Sequence, residues 1–400
     1  MKSALKGERI NICVLGRMNV GKSTIINKLF EQGVSIVSDQ PGTTTDPVQK
    51  RYEMIPIGPV TIYDTAGYDD ETKLGKERIK STLKVISKSD LAIIVLDQKG
   101  LLDVDLSYIK KLEKLKIGYI IVCNKLDLGK ANKKTTEFIC QKQNLICFSN
   151  KEKNGNILKS EIIEHFKNQK IDNNFIVKDL IKSNDVVVLV MPQDSAAPKG
   201  RIILPQMQVI REILDQKAIG VCCTDTELKK TLSKLSNPPK LVITDSQALD
   251  RVMKIVPMEV NLTTFSTLFA RYKGDIKALL DGIKAFRKIK KTDKILIVEA
   301  CSHHNTDQDI GSVLIPRMLK KYLGYEPLIA TTSGDGFPND IDKYKLVIHC
   351  GGCMITRTEM TRRIKEYQNR SMYVTNYGLI ISEMNGQLDR MLRVLKGKLS

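Results

Sequence analysis

The run Gly16-Arg-Met-Asn-Val-Gly21-Lys22-Ser23-Thr24 constrains this chain more than any other stretch. It follows an apolar run, Arg9–Gly16, and opens a segment that reads as a helix. A glycine-rich turn of this spacing wraps backbone N–H groups around phosphates, and the helix N-terminus adds favourable partial charge. The turn needs a strand before it and a helix after it, so the expected surroundings are α/β with a mostly parallel sheet. Lys22 is expected to reach the β and γ phosphates, Ser23 to ligate Mg²⁺, and Asn19, Gly21 and Thr24 to line the same cradle.

Three further segments fall where a nucleotide would need them. Asp64-Thr65-Ala66-Gly67 ends the Val60–Tyr63 run. Asp64 is expected to hold Mg²⁺ through water, and the Gly67 N–H to sense the γ-phosphate. Asn124-Lys125-Leu126-Asp127 ends another apolar run. A carboxylate at Asp127 can accept both the ring N–H and the exocyclic amine of guanine. Adenine would leave those groups unpaired, so the motif selects GTP over ATP. Lys125 is expected to pack along the base plane, and Ser149 to supply the last base-contacting loop. Between these motifs, Gly42-Thr43-Thr44-Thr45-Asp46 has the position of a switch loop, with Thr44, and after it Thr43, the candidate to close on Mg²⁺.

The alternation of short Ile/Val runs with amphipathic stretches continues to the end of the chain. Its strand candidates are Arg9–Gly16, Val60–Asp64, Leu91–Asp97, Tyr119–Asn124, Val186–Met191, Ala218–Cys223, Leu241–Thr244, Lys294–Ala300, Pro327–Thr331, Lys345–His349 and Met372–Val374. One long helix is expected over Ser266–Lys290 and another over Glu383–Leu399. A polar stretch, Lys167–Asn174, marks a first boundary, and Val260–Thr264 a second. The expected organisation is a P-loop GTPase domain over 1–170, an α/β domain over 175–262 and a further α/β domain over 263–400, all with mostly parallel sheets.

Composition narrows the class. The chain has 400 residues and 42% hydrophobic content, enough for several domain cores. No apolar run approaches the ~20 residues of a membrane span, and Met1–Arg9 lacks the apolar stretch of a secretory signal, so a cytoplasmic protein with no membrane partner is expected. The formal net charge is +19. The basic residues are mostly scattered lysines and Trp is absent, so a solvated surface is favoured over a nucleic-acid partner. Cys13, Cys123, Cys140 and Cys147 sit in or beside apolar runs and read as buried thiols, as does the pair Cys222-Cys223.

Three of the four histidines and three of the nine cysteines lie in two short clusters, Cys301-Ser302-His303-His304 and His349-Cys350-Gly351-Gly352-Cys353. Each cluster follows an apolar run. If those runs are neighbouring parallel strands, their carboxyl ends share one crevice and gather Cys301, Cys350 and Cys353. Three thiolates plus an imidazole suit zinc, three thiolates with an open fourth position suit an iron–sulfur cluster, and Cys350 with Cys353 alone would suit a redox dithiol. His303, His349 and Asp309 are candidate fourth ligands or partners that orient a thiolate.

The nucleotide motifs resemble the GTPases of the Era and TrmE type over about 170 residues. Within that resemblance, Tyr68 stands where many small GTPases carry a catalytic glutamine, which implies slow intrinsic hydrolysis. Asn19 matches the asparagine with which TrmE-like enzymes bind K⁺. The whole set, with Cys301-x-His303, His349-Cys350-x-x-Cys353 and the loop Asp194–Arg201 leading into Leu204-Pro205-Gln206, resembles the HydF family of [FeFe]-hydrogenase maturation GTPases. That resemblance implies a [4Fe–4S] cluster in the last domain, a dimerising middle domain giving a homodimer, and a scaffold or carrier role. It also implies a transient di-iron subcluster precursor as cargo, and radical-SAM maturation enzymes and apo-[FeFe]-hydrogenase as partners. The alternative is a ribosome- or tRNA-associated GTPase with a zinc-stabilised C-terminal domain.

Overall fold

The computed structural model describes residues 9–30, 36–40, 47–69, 73–125, 135, 145–147, 155–168, 175–192, 202–300, 310–334, 340–352 and 355–397. The chain forms two compact units, Met1–Asp172 and Asn173–Ser400. No described helix is long and apolar enough to cross a membrane.

The first unit contains one sheet of seven described strands: β1 (Ile10–Leu15), β2 (Ile36–Gln40), β3 (Val48–Met54), β4 (Gly58–Asp64), β5 (Leu91–Leu96), β6 (Gly118–Cys123) and β7 (Leu145–Cys147). Their order is β2-β3-β4-β1-β5-β6-β7. From β4 to β7 every pair is parallel, while β3 pairs antiparallel with both β2 and β4. Successive side chains leave a strand on opposite faces, and each face has its own core. Ile12, Val14, Ile93 and Val122 pack with Ile25, Ile26 and Leu29 of α1 (Lys22–Phe30) and Leu158 of α4 (Gly155–Asn168). Cys13, Leu15, Ile94 and Cys123 pack with Ile86 of α2 (Lys73–Lys88) and Ile109 and Leu112 of α3 (Asp103–Lys114). Burial on both faces is why these strands are apolar throughout. Cys13 and Cys123 are buried thiols as expected, and Cys140 and the Cys147 side chain lie outside the described residues.

The second unit holds two four-stranded sheets. One is ordered β11-β10-β8-β9, from β8 (Val186–Val190), β9 (Ile219–Cys223), β10 (Leu241–Thr244) and β11 (Asn261–Thr264). The other is ordered β13-β12-β14-β15, from β12 (Lys294–Glu299), β13 (Leu328–Ser333), β14 (Leu346–His349) and β15 (Tyr373–Asn376). All their pairings are parallel. The helices include α5 (Leu204–Asp215), α6 (Leu228–Ser233) and α7 (Leu249–Met253) around the first sheet, and α10 (Ile315–Leu323) and α11 (Arg357–Asn369) around the second.

Several expectations change. Val260–Thr264, read as a boundary, contains β11, whose Leu262 and Thr263 are buried beside β10. The expected long helix over Ser266–Lys290 is two helices, α8 (Phe265–Lys273) and α9 (Ile276–Phe286). Gly274 ends the first in an extended conformation, and Asp275 caps the second by accepting the Ala278 N–H at 3.1 Å, both features that favour a break. The expected terminal helix over Glu383–Leu399 is instead α12 (Tyr377–Met384) and α13 (Leu388–Leu392), followed by a single turn, Arg393–Leu395. This end of the chain returns to the first sheet of the unit. Met391 and Leu395 are fully buried in its cores, the Thr263 hydroxyl donates to the Met391 carbonyl at 3.1 Å, and Arg390 donates to the Val256 and Pro257 carbonyls at 2.9 and 2.8 Å. The β11 edge is thereby covered, while β9 forms the opposite edge. Cys222 on β9 is exposed, so the vicinal pair is not wholly core packing.

Met391→Ala is expected to destabilise the second unit by about 2–5 kcal/mol, the usual loss for truncating a buried long side chain. Chemical denaturation checks it; an unchanged midpoint would mean that this segment does not support the β11 side.

Candidate nucleotide and metal sites

The turn after β1 and the start of α1 form the phosphate loop. Gly21 has φ +94°, and a Cβ there would lie 2.3 Å from Asn124 Nδ2, so only glycine lets the Asn124 segment approach. Asn124 donates from Nδ2 to the Val20 carbonyl at 3.0 Å, and Lys125 donates from Nζ to the Asn19 carbonyl at 2.6 Å. Asn19 and Lys125 both adopt positive φ, 59° and 60°, a conformation non-glycine residues seldom take and one that recurs at functional sites. The segment that would select the base is thus tied directly to the one that would hold the phosphates.

Lys22 is buried and donates to the Gly16 and Arg17 carbonyls at 3.0 and 2.8 Å. Burial pulls its pKa below the ordinary lysine value, and the carboxylates of Asp64 and Asp69 oppose that shift. The Ser23 hydroxyl donates to Asp64 Oδ2 at 2.7 Å. The two residues expected to share Mg²⁺ are therefore neighbours, as a common metal requires. Thr24 lies exposed on the first turn of α1. A Cβ on Gly67 would fall 2.4 Å from Met18 Cγ, which places the Asp64–Gly67 turn against the phosphate loop. Thr43, Thr44, Asp127 and Ser149 lie outside the described residues.

The motifs gave no warning of the polar network beneath the loop. Arg17, 5% exposed, donates to Asp97 Oδ1 at 3.0 Å and to the Gly100 carbonyl at 2.9 Å, and its Nε lies 3.3 Å from Asp105 Oδ2. Asp105, fully buried on α3, also accepts the Tyr68 hydroxyl and the Leu102 N–H. Tyr68 stacks on Tyr108 with centroids 4.2 Å apart. Burial, reinforced by Asp105, keeps the phenol far above its usual pKa. Tyr68 therefore belongs to the core of α3, packed and hydrogen-bonded there. Asp69, beside it, accepts the Met18 N–H at 2.7 Å. An arginine in the loop, Asp97 after β5 and an acidic residue in the first turn of α3 were the sequence signals for this network.

At the other end of the chain, β12 and β14 are neighbouring parallel strands, with Val298 opposite His349. Cys350 follows β14, donates its N–H to the Val298 carbonyl at 2.8 Å, and accepts the Ala300 N–H on Sγ at 3.1 Å. Ala300 directly precedes Cys301 in the chain. Gly352, which precedes Cys353, has φ +62°, and its carbonyl accepts a hydrogen bond from Lys273 at 3.1 Å. Cys301, His303, Asp309 and Cys353 themselves lie outside the described residues, and among the described ones no three His, Cys, Asp or Glu side chains form a metal-binding group. His349 is 1% exposed; its Nδ1 is 2.8 Å from the Cys350 carbonyl, and its ring faces Tyr367 with centroids 6.4 Å apart. Burial lowers its pKa to about 4, so it is a neutral imidazole near neutral pH.

Replacing Tyr68 by Phe leaves the buried Asp105 carboxylate one donor short. Tyr68→Phe is expected to lower the stability of the first unit by about 1–3 kcal/mol. Denaturant unfolding of the variant checks it, and wild-type stability would show that the Tyr68–Asp105 bond contributes nothing.

Three protein families match successive parts of the chain. A 50S ribosome-binding GTPase family matches residues 11–125, the hydrogen maturase F dimerization domain matches 176–274, and the hydrogen maturase F tetramerization domain matches 277–394. The tRNA modification GTPase MnmE of Prochlorococcus marinus (strain NATL1A) is 37% identical over 150 residues, covering 36% of this chain and 32% of its own length. GTPase Der of Clostridium botulinum (strain Hall) is 35% identical over 135 residues, covering 32% and 30%. The chain thus spans about a third of the length of these curated relatives. Among solved structures, the G domain of FeoB from T. maritima is similar at 21% identity and TM-score 0.31, covering 40% of this chain and 99% of that one. Era from Aquifex aeolicus is similar at 18% identity and TM-score 0.32, covering 61% and 97%. With two domains specific to hydrogen maturase F behind a GTPase domain, the chain belongs to the HydF family.

Proposed function

We propose that this protein is a GTP-hydrolysing scaffold that carries the di-iron precursor of the [FeFe]-hydrogenase active site and holds a [4Fe–4S] cluster in its last domain. The observation that carries the metal half is the Ala300 N–H donated to Cys350 Sγ at 3.1 Å. It brings the backbone beside Cys301 to the sulfur of Cys350, in a chain whose two C-terminal domains are of the hydrogen maturase F type. The donor set fits: Cys301, Cys350 and Cys353 would hold the cluster, with glycines at 351 and 352 allowing the turn between the last two. Such a cluster, when bound, supplies an iron with an exchangeable fourth position. His303 or Asp309 is the candidate to fill or guard that position. His349 sets its Nδ1 against the Cys350 carbonyl and has no hydrogen-bond partner at Nε2 among the described residues, so it is a further candidate to fill that position or to orient the loop.

In the GTPase half, Lys22 would neutralise the β and γ phosphates, Ser23, Thr44 and Asp64 would hold Mg²⁺, and the Gly67 N–H would read the γ-phosphate. Asn124, Lys125, Asp127 and Ser149 would bind guanine. Tyr68, packed on α3 with its hydroxyl on Asp105, is not placed to orient the attacking water as a glutamine would, which supports slow intrinsic hydrolysis. A K⁺ ion beside Asn19 would supply the missing positive charge. Hydrolysis relaxes the Thr43–Asp46 loop and changes how the scaffold meets radical-SAM maturation enzymes or apo-hydrogenase. A second copy of the chain is the first partner. The β9 edge, with Ile219 51% exposed and Met207 and Leu214 of nearby α5 at 54% and 56%, supports a homodimer through this sheet.

The net charge of +19 and the ribosome-binding description of the GTPase family favour the second reading, a ribosome- or tRNA-associated GTPase with a zinc-bound tail. The test of the first is maturation itself. Lys22→Ala is expected to keep its iron and sulfide, lose GTP hydrolysis, and activate apo-hydrogenase at most a tenth as well as wild type, on the order of one phosphate-loop contact. Equal activation by the variant would remove GTP from the scaffold's working cycle.

A further inference from the structure

Lys273 is a buried cation that the proposed chemistry has not used. It is the last residue of α8 and only 2% exposed. Its Nζ donates to the Gly352 carbonyl at 3.1 Å and to the Ile355 carbonyl at 2.9 Å, and lies 5.8 Å from the centre of the Phe269 ring. Those two carbonyls bracket Cys353 in the chain. Burying an ammonium is costly unless it is hydrogen-bonded and offset by negative charge. Among the described lysines, only Lys22 of the phosphate loop is buried to a comparable degree.

The helix that carries Lys273 is itself held firmly. Phe265, Leu268 and Phe269 lie in the core under the β8–β11 sheet, and Ala270 in the core under the β12–β15 sheet. Arg271 grips Asp179 with both carboxylate oxygens, at 2.8 and 2.9 Å, and donates to the Phe175 and Ile176 carbonyls. The same segment is pinned from the other side by Glu212, which accepts the N–H groups of Ile176, Val177 and Lys178. The last turn of α8 thus fastens the start of the second unit with one basic residue and the cysteine loop with another.

We propose that Lys273 is a positioning residue for the metal site: its ammonium holds the Gly352 and Ile355 carbonyls and offsets the negative charge of the bound, thiolate-ligated metal. This inference rests on the reading of Cys350 and Cys353 as ligands. Thiolates are anionic when they bind metal, so a fixed ammonium near the loop favours the loaded state. A hydrogen bond to the Gly352 carbonyl also removes the freedom that two consecutive glycines would otherwise give the turn.

The test uses the full chain, loaded anaerobically with iron and sulfide, as wild type, Lys273→Met, Lys273→Arg and Cys350→Ala. Iron loss to a chelator, the electron paramagnetic resonance spectrum of the reduced protein and its thermal melt are measured for each. Lys273→Met is expected to lose iron about 10-fold faster or more, the usual effect of removing a contact that orients a ligand, and to show a changed spectrum. Lys273→Arg, which keeps the charge but not the geometry, is expected to fall between. If both variants match wild type in rate and spectrum, Lys273 is a structural lysine only and the inference falls. Should Lys273→Met fail to fold by its melt, the Arg variant decides alone, because its larger head group cannot occupy the same place unnoticed. Cys350→Ala holding as much iron as wild type would instead overturn the ligand reading beneath the inference.

Discussion

Parallel strand pairing is the constraint on which both candidate sites depend. In a parallel sheet neighbouring strands end on the same side, so residues far apart in the chain arrive together at their carboxyl ends. The register of β1 with β4 places Val14 opposite Asp64, just where the phosphate loop begins. The register of β12 with β14 places Val298 opposite His349, and the next residues along bring the Ala300 N–H to the sulfur of Cys350. Neither site is built by one motif. Each is built by two strand ends, and the motifs are what the strand ends carry.

Around that common plan the two sites are stiffened differently. The nucleotide loop is laced by polar contacts from outside it: Asn124 and Lys125 from above, Asp69 at Met18, and the Arg17 network with Asp97 and Asp105 below. Hydrogen bonds to buried charged groups are worth more than neutral ones and are costly to leave unmade, so this loop is held in one shape before a phosphate arrives. Among the described residues, the cysteine loop is met by the Ala300 N–H, the His349 ring beneath it and Lys273 beside it. The helix supplying Lys273 also carries Phe265, Leu268 and Phe269 into the neighbouring core, so the cysteine loop is braced by an element that packs under the other sheet of its unit.

Much of this was legible from residues alone. β1, β5, β6 and β10 are apolar on both faces and stood out as runs of Ile, Val and Leu. β3 did not, because Gln49, Lys50, Arg51 and Glu53 interrupt it; it is antiparallel and less deeply covered than β4. The break between α8 and α9 was written in Gly274-Asp275, yet the continuous helical pattern on either side concealed it. The return of Met391 and Leu395 to the first sheet could not be read at all, since a short apolar segment does not state which core it joins. Lys273 and Arg271 looked like two more surface bases in a chain with 64 of them. Their burial is a property of the packing around α8, and charge patterning along a single helix does not reveal it.

The ends of β12 and β14 are proposed to present Cys301, Cys350 and Cys353 to an iron–sulfur cluster in a GTPase scaffold. The most direct measurement is the metal content and colour of the full chain purified without oxygen. The account predicts a brown protein with iron and acid-labile sulfide in equal amounts, both lost when Cys301, Cys350 and Cys353 are replaced together. A colourless protein with stoichiometric zinc and no sulfide would contradict it.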